Sequence, residues 1–562
     1  MTIFDFFQIL LFLFVLISLV PLLGTYMAKV FRGEATFAHP LLLPLENFSY
    51  KIAGVNPNQE MGWKAYIKAL LLFNFLGFAV LFLIQITQYF LPFNPQQFGP
   101  VSWPLALNTA ISFATNANWQ AYSGETTMSY FTQMSGLSVQ NFLSAATGNA
   151  VLLALIRGIT KKTEGIGNFW VDCVRTIIYL LIPLAVILAL VLASQGVIQS
   201  FSGYVEAYTL DNGIQTIPLG PVASQVAIKQ LGTNGGGFFG TNSAHPFENP
   251  NSLSNFLELL AMMLIPASAT YMYGLMVSSR KHGWLLFFTT LSIWIGGLTL
   301  SLYAENLNNP LLNALPLLEG KETRFGVMHS VLWSIATTST ANGSVNGMLS
   351  SLSPLAGGVA LMNVLLSELI FGGVGVGLCN MLMFVFLTIF LCGLMVGRTP
   401  EYMGKKIEKK EIQWVSLAIL TPASLTLIGA GFSSIYSEAL VSIGNKGPHG
   451  LTEILYAFSS CSGNNGSAFA SLKANTLFYN LGLGVCMVLG RLSILVPSVA
   501  LAGALSRKKI APFSTGVFST NTLLFLVLLL GVILIVGALA FFPILCLGPL
   551  MEHFLMLKGR TF

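Results

Sequence analysis

The chain has 562 residues, 54% of them hydrophobic and 9% charged, and a net charge of +6. A soluble globular protein carries about 25% charged residues, so too little charge is present to cover water-facing domains. A soluble enzyme, a disordered protein and a nucleic-acid binder are disfavoured, and an all-α polytopic protein of the lipid bilayer is predicted.

Apolar stretches near 20 residues are long enough to cross a hydrocarbon core of about 30 Å. Ten are present, over roughly 4–27, 66–90, 131–156, 172–194, 253–277, 284–303, 360–396, 413–432, 474–503 and 519–546. The two longest can hide a break. Asp5 precedes the first stretch, and a basic leader region and a small-residue cleavage site are missing. A retained first helix is expected, not a signal peptide.

The basic residues cluster after the odd spans. Lys29, Arg32, Lys51, Lys64 and Lys68 follow the first, and Arg157, Lys161, Lys162 and Arg175 follow the third. Arg280 and Lys281 follow the fifth, the run from Arg398 to Lys410 the seventh, and Arg507, Lys508 and Lys509 the ninth. The positive-inside rule places this side in the cytoplasm, with both termini outside. The six cysteines are scattered without a CxxC pair, which points to buried free thiols.

The outer segments joining spans two to three, four to five, six to seven and eight to nine share a pattern. Each has a short apolar, helix-like stretch followed by a cluster rich in Asn, Gly, Ser and Thr. The clusters read Ile111-Ser-Phe-Ala-Thr-Asn-Ala-Asn118, Gln230-Leu-Gly-Thr-Asn-Gly-Gly-Gly237, Ala336-Thr-Thr-Ser-Thr-Ala-Asn-Gly-Ser344 and Ser459-Ser-Cys-Ser-Gly-Asn-Asn-Gly-Ser467. Aligned on Asn116, Asn234, Asn342 and Asn465, they recur about every 110–120 residues, the signature of an internal repeat. The predicted layout is a first helix 1–28, repeats 61–162, 168–281, 283–398 and 411–509, and a last helix 519–546.

One such loop would be an ordinary turn, because Gly and Asn are turn residues. Four at equivalent places point to re-entrant pore loops, since irregular backbone at membrane depth must be buried or line a cavity. Rings of carbonyl oxygens can replace a cation's water shell. The clusters contain no acid, whereas Mg²⁺ and Ca²⁺ sites recruit carboxylates. The residues alone reach a pseudo-fourfold pathway for a monovalent cation, most simply K⁺.

Two features lie inside the spans. Gly372, Gly373, Gly375 and Gly377 interrupt the seventh, each at about 1 kcal/mol of helix stability. They mark either close helix packing or a local unwinding. Arg491 lies inside the ninth, where a charge needs a cavity or a partner. Glu368 is the candidate partner. Arg491 either forms a structural ion pair or repels a cation below the loops.

The segments Thr115-Asn-Ala-Asn-Trp-Gln-Ala-Tyr-Ser-Gly-Glu125, Gly232-Thr-Asn-Gly-Gly-Gly-Phe-Phe239, Ser367-Glu-Leu-Ile-Phe-Gly-Gly-Val-Gly-Val-Gly377 and Asn464-Asn-Gly-Ser-Ala-Phe469 resemble the potassium-binding, pore-like subunits of bacterial Kdp potassium-transporting ATPases. The resemblance covers essentially the full length. It implies a K⁺ selectivity filter of Thr115, Asn116, Ala117 and Asn118; Thr233, Asn234 and Gly235; Ala341, Asn342 and Gly343; and Asn464, Asn465 and Gly466, with Gln120 adjacent. The third loop, with Ala341-Asn342, departs most from the family pattern. The resemblance further implies a gating loop at Glu368, Gly372, Gly373, Gly375 and Gly377, with Arg491 below the filter.

The chain has only Asp5, Asp172 and Asp211 as aspartates and lacks both a DKTG phosphorylation motif and GxxxxGK[ST]. No nucleotide is expected to bind, and ATP hydrolysis needs a partner. The resemblance implies a P-type ATPase catalytic subunit, a single-span accessory subunit and a small membrane peptide, in a bacterial inner membrane. It also implies K⁺ entry from outside and sideways transfer to the catalytic subunit. The run from Arg398 to Lys410 reads either as a solvated, topology-setting loop or as a docking surface. The alternative function is a self-sufficient potassium channel or ion-coupled symporter of the same architecture.

Overall fold

A computed structural model describes residues 3–161, 165–211, 213–310, 312, 317–397, 399–510 and 519–560. Lys162 and Arg398, named above, lie outside the described residues. Among the described residues, ten helices are long and apolar enough to cross a membrane: Ile3–Arg32, Trp63–Phe90, Thr132–Thr160, Phe169–Ser194, Ser252–Met276, Arg280–Glu305, Val376–Met395, Lys409–Ser433, Leu477–Ser506 and Leu523–Leu557. They fall where hydropathy placed them, because a backbone in hydrocarbon must satisfy its own hydrogen bonds. The chain is a multi-pass membrane protein.

The seventh span does contain a break. Pro354–Leu365 forms a separate helix, and the span resumes only at Val376. The ninth runs unbroken over Leu477–Ser506. The third and ninth spans sit at the centre, with most of their residues buried, while the first, second and last are peripheral.

Polar side chains tie the bundle together at the Lys/Arg-rich end. Arg157 donates to both carboxylate oxygens of Asp172, at 2.6 and 2.8 Å, joining spans three and four. A helix that hydropathy did not pick out, His39–Ala53, lies between the first two spans. Its Glu46 is buried and accepts from Tyr50 at 2.7 Å, Arg175 at 2.8 Å and Tyr179 at 2.6 Å. Burial pushes the Glu46 carboxyl up, but these donors override it and hold its pKa below the ordinary value.

The fold is mainly, not purely, helical. Val205–Tyr208 pairs with Ile214–Ile217, and Glu401–Tyr402 with Lys405–Lys406, both antiparallel. The second hairpin corrects the picture of a solvated loop after span seven. Lys405 is buried, and its ammonium donates to the carbonyls of Gly158 at 2.8 Å, Lys161 at 2.5 Å and Leu505 at 2.9 Å. It thereby ties the ends of spans three and nine to the hairpin.

At the opposite end, four short helices stand between the expected pairs of spans: Trp103–Ala114, Val222–Leu231, Gly326–Ser339 and Gly447–Ser462. The last helix of the chain braces the fourth through His449 and Glu552, 2.9 Å apart. Burial alone would push the His449 imidazole down, but the Glu552 carboxylate outweighs it and raises its pKa above the ordinary value. A raised folded pKa means that the stabilisation is full below the unfolded value of about 6.5 and is lost as pH rises through the folded one. Thermal unfolding of the purified protein is therefore expected to show a Tm that falls across this range, with the slope removed in His449→Gln. An unchanged slope in that variant would assign the pH dependence elsewhere.

Candidate ion-binding site

The four short helices end alike. Their C-caps are Thr115, Gly232, Thr340 and Gly463, and each is followed by one predicted triplet: Asn116–Asn118, Thr233–Gly235, Ala341–Gly343 and Asn464–Gly466. This register corrects the alignment on asparagines. Asn234, Asn342 and Asn465 stand two residues past their caps, but Asn116 stands one past, so Ala117 is their counterpart. Counting Asn residues alone could not detect the shift, because the first loop carries Asn on both sides of Ala117.

The third position of every triplet has a left-handed backbone: Asn118 (φ 54°), Gly235 (87°), Gly343 (79°) and Gly466 (89°). The first position does too in three loops, at Asn116, Thr233 and Asn464. The third loop lacks this at Ala341. The glycines are also held by close neighbours. A Cβ on Gly235 would lie 1.7 Å from the Asn342 carbonyl oxygen, one on Gly343 2.2 Å from that of Asn465, and one on Gly466 2.0 Å from that of Ala117. Loop two thus meets loop three, three meets four, and four meets one. The Asn116 amide, donating to the Thr233 carbonyl at 2.9 Å, joins loop one to loop two.

The asparagine amides act behind the loops. Asn465 donates to the Thr337 carbonyl at 2.8 Å and Asn342 to the Lys229 carbonyl at 3.4 Å, each reaching back to the preceding short helix. Asn234 donates to Asn116 at 2.8 Å, while Asn464 donates to the Met487 carbonyl of span nine at 3.1 Å. Ala117 has no side chain for such a bond. Instead, the third span supplies Ser144, donating to Asn116 at 2.9 Å, and Asn141, accepting from Asn118 at 2.6 Å. Sequence reading missed both. A signal was available, since Gln140, Asn141, Ser144, Thr147 and Asn149 are all buried polar residues of one membrane helix.

Gln120 exchanges two 3.0 Å hydrogen bonds with the backbone of Gly237. The Thr115 hydroxyl donates to the Ile111 carbonyl of its own helix at 2.9 Å. Above the loops opens a cavity of about 620 Å³ whose lining includes Asn118, Gly235, Gly343 and Gly466, one residue from each triplet.

The break in span seven lies directly against loops two and three. The Val374 amide donates to the Thr233 hydroxyl at 2.9 Å, and the Gly372 amide to the Ser339 carbonyl at 3.1 Å. Gly372 and Gly375 have positive φ, but so do Ser367 (47°), Glu368 (60°) and Phe371 (61°). Such non-glycine conformations cost about 1–3 kcal/mol each and persist only where their surroundings enforce them. Of the two sequence readings, unwinding is the one observed. Gly373 faces Ala341, with 3.4 Å between its would-be Cβ and the Ala341 methyl, and Gly377 is the second residue of the renewed helix.

Glu368 and Arg491 are both buried, with 3.9 Å between carboxylate and guanidinium. Arg491 also donates to the Ser144 carbonyl at 3.1 Å. Among the described residues, neither Glu368 oxygen has a hydrogen-bond partner, nor do Nε and Nη1 of Arg491. Beside Arg491 a mainly apolar cavity of about 300 Å³ reaches Thr115 and runs out between spans two and nine past Leu71 and Phe75, both exposed on the outer face of the bundle.

Among the described residues, no group of three or more His, Cys, Asp or Glu could hold a metal ion. The ring therefore offers oxygens of carbonyls, amides and hydroxyls.

Comparison with known proteins gives a family. The model described as potassium-transporting ATPase A subunit matches residues 10–554. A Leptospira interrogans protein named potassium-transporting ATPase potassium-binding subunit is 51% identical over 558 residues, covering 99% of both chains. One of the same name from Sorangium cellulosum is 52% identical over 570 residues, covering 98% of both. Among solved structures, the potassium transporter TrkH from Vibrio parahaemolyticus aligns with a TM-score of 0.52 at 12% identity, over 88% of this chain and 98% of its own. At that identity the likeness is one of fold. The chain belongs to the potassium-transporting ATPase A subunit family.

Proposed function

We propose that this chain takes up K⁺ from the outer side of a bacterial inner membrane and passes it to a P-type ATPase partner. The observation that carries the reading is the cavity that touches all four triplets at once. A vestibule that narrows onto four oxygen-bearing loops suits a dehydrated monovalent cation. The four loops then form the selectivity filter, with ligands drawn from Thr115–Asn118, Thr233–Gly235, Ala341–Gly343 and Asn464–Gly466. They belong to four repeats around one axis, over 61–162, 168–281, 283–398 and 411–509, and both termini face outward.

Below the filter, the strained segment of span seven acts as the gate. Arg491 opposes a cation that would continue straight to the cytoplasm, because a buried guanidinium with incomplete pairing sets a positive barrier. The ion then leaves sideways toward the partner. Gln120 holds Gly237 and keeps the second loop in register. A P-type catalytic subunit supplies ATP hydrolysis, with a single-span subunit and a small membrane peptide completing the assembly. The family membership and the absence of nucleotide motifs from the sequence support this division of labour.

The test is to purify the assembly from its source membrane through a tag on this chain and to measure ATP hydrolysis against K⁺. Co-purification of a P-type subunit whose hydrolysis needs micromolar K⁺ is the expected result. A chain that emerges alone and passes K⁺ down its gradient in liposomes is a channel or symporter instead.

A further inference from the structure

Three of the four loops are braced in the same place, by different chemistry. Three residues before each C-cap stand Ser112, Lys229, Thr337 and Ser460. Two of the hydroxyls bond their own loops directly: Ser112 donates to the Trp119 carbonyl at 3.0 Å, and Ser460 accepts from the Gly466 amide at 3.0 Å. In the second loop a fully buried lysine occupies the position. Its ammonium donates to the side-chain oxygen of Asn242 and to Glu248, which is also fully buried. Glu248 accepts in turn from the Phe239 amide at 3.0 Å.

Asn242 connects this ion pair to the ring. With its oxygen held by Lys229, its amide nitrogen is turned toward loop two and donates to the Gly235 carbonyl at 2.7 Å. Asn242 has a left-handed backbone (φ 55°), so its place is bound to this one arrangement. The Lys229 carbonyl meanwhile accepts from the Asn234 amide at 2.9 Å and from the Asn342 side chain at 3.4 Å. One residue thus holds the second triplet from both sides, and it touches the third.

We propose that Lys229, Asn242 and Glu248 form a positioning cluster that fixes the direction of the Gly235 carbonyl and so sets the ion preference of the filter. The ion pair neutralises itself, so the cluster adds no net charge behind the ring. What it adds is rigidity. A carbonyl anchored by an amide cannot swing outward to suit a larger cation, whereas a free carbonyl can. Loop two is the place for such a constraint, because Gly235 and Gly236 have no side chains of their own with which to brace it.

The inference rests on the filter reading above, and the two can fail separately. The measurement is K⁺-stimulated ATP hydrolysis by the co-purified assembly, titrated with K⁺, Rb⁺ and NH₄⁺. Asn242→Ala is expected to raise half-saturating K⁺ about three- to tenfold, to narrow the gap to Rb⁺, and to keep the maximal rate. The double variant Lys229→Met, Glu248→Gln keeps the volume and removes both charges, and it should shift the preference in the same direction. Gly235→Asp serves as the reference. If it alters the ion preference while the cluster variants leave it unchanged, the cluster is only a structural support and the proposal is overturned. If all three leave the preference unchanged, the filter reading itself fails. Loss of assembly in both cluster variants would likewise assign the cluster to folding alone.

Discussion

Replacing Gly235 with Asp is expected to raise the K⁺ concentration for half-maximal ATP hydrolysis about ten- to a hundredfold and to blur discrimination against Rb⁺ and NH₄⁺. Two effects combine. The backbone at this position is left-handed, which costs a residue with a side chain about 1–3 kcal/mol. The new Cβ would also need the space of the Asn342 carbonyl oxygen, 1.7 Å away, so the second and third loops must part. The added carboxylate places a charge in a ring that otherwise has none. Gly482→Ala is the control, since nothing lies within 4 Å of its Cβ position in span nine. Unchanged half-saturation and selectivity in Gly235→Asp would remove the second loop from the filter.

Arg491→Ala is expected to act on coupling more than on selectivity. In the wild-type chain Glu368 has Arg491 as its nearby countercharge, and among the described residues neither of its oxygens has a hydrogen-bond partner. Removing one member of a buried pair leaves the other uncompensated, at about 3–5 kcal/mol, so a large drop in Tm is expected in detergent. In vesicles holding the whole assembly, ATP used per K⁺ moved should rise and stored K⁺ should leak. Replacing both partners, Arg491→Met with Glu368→Gln, should restore most of the stability but not the retention of K⁺. That contrast separates an electrostatic barrier from a structural ion pair. A change in selectivity without a change in coupling would count against a position below the ring.

Much of this molecule is legible in its sequence, for reasons that differ from part to part. The ten spans are read from uncharged runs because about 20 apolar residues in lipid suit a helix, which satisfies its own backbone. The loops are visible because they repeat. Within the loops the register is harder to read: Asn116 matches the other asparagines by type, and only the helix ends show that Ala117 is their structural counterpart. The break in span seven is announced by its glycines, yet Ser367, Glu368 and Phe371 share the left-handed backbone, which no propensity would assign to them. His39–Ala53 escapes because its buried polar anchor, Glu46, finds Arg175 and Tyr179 far away in sequence. Lys229 escapes likewise. Read along the chain it is one lysine on the outer side, and only folding brings Glu248 and Asn242 to it.

The common ending of the four short helices carries a consequence for the field inside the protein. Each helix directs the negative end of its dipole to its C-terminus, equivalent to about half a negative charge. All four stop at the same ring, so these partial charges add at one place, in surroundings where neither salt nor water screens them well. The ring can therefore draw in a cation although its triplets contain no acid. An attraction built from backbone dipoles has no proton to gain or lose. A carboxylate ring would weaken as the medium turned acid, whereas this one, on the filter reading proposed above, keeps its pull on K⁺ over the whole range in which the fold survives.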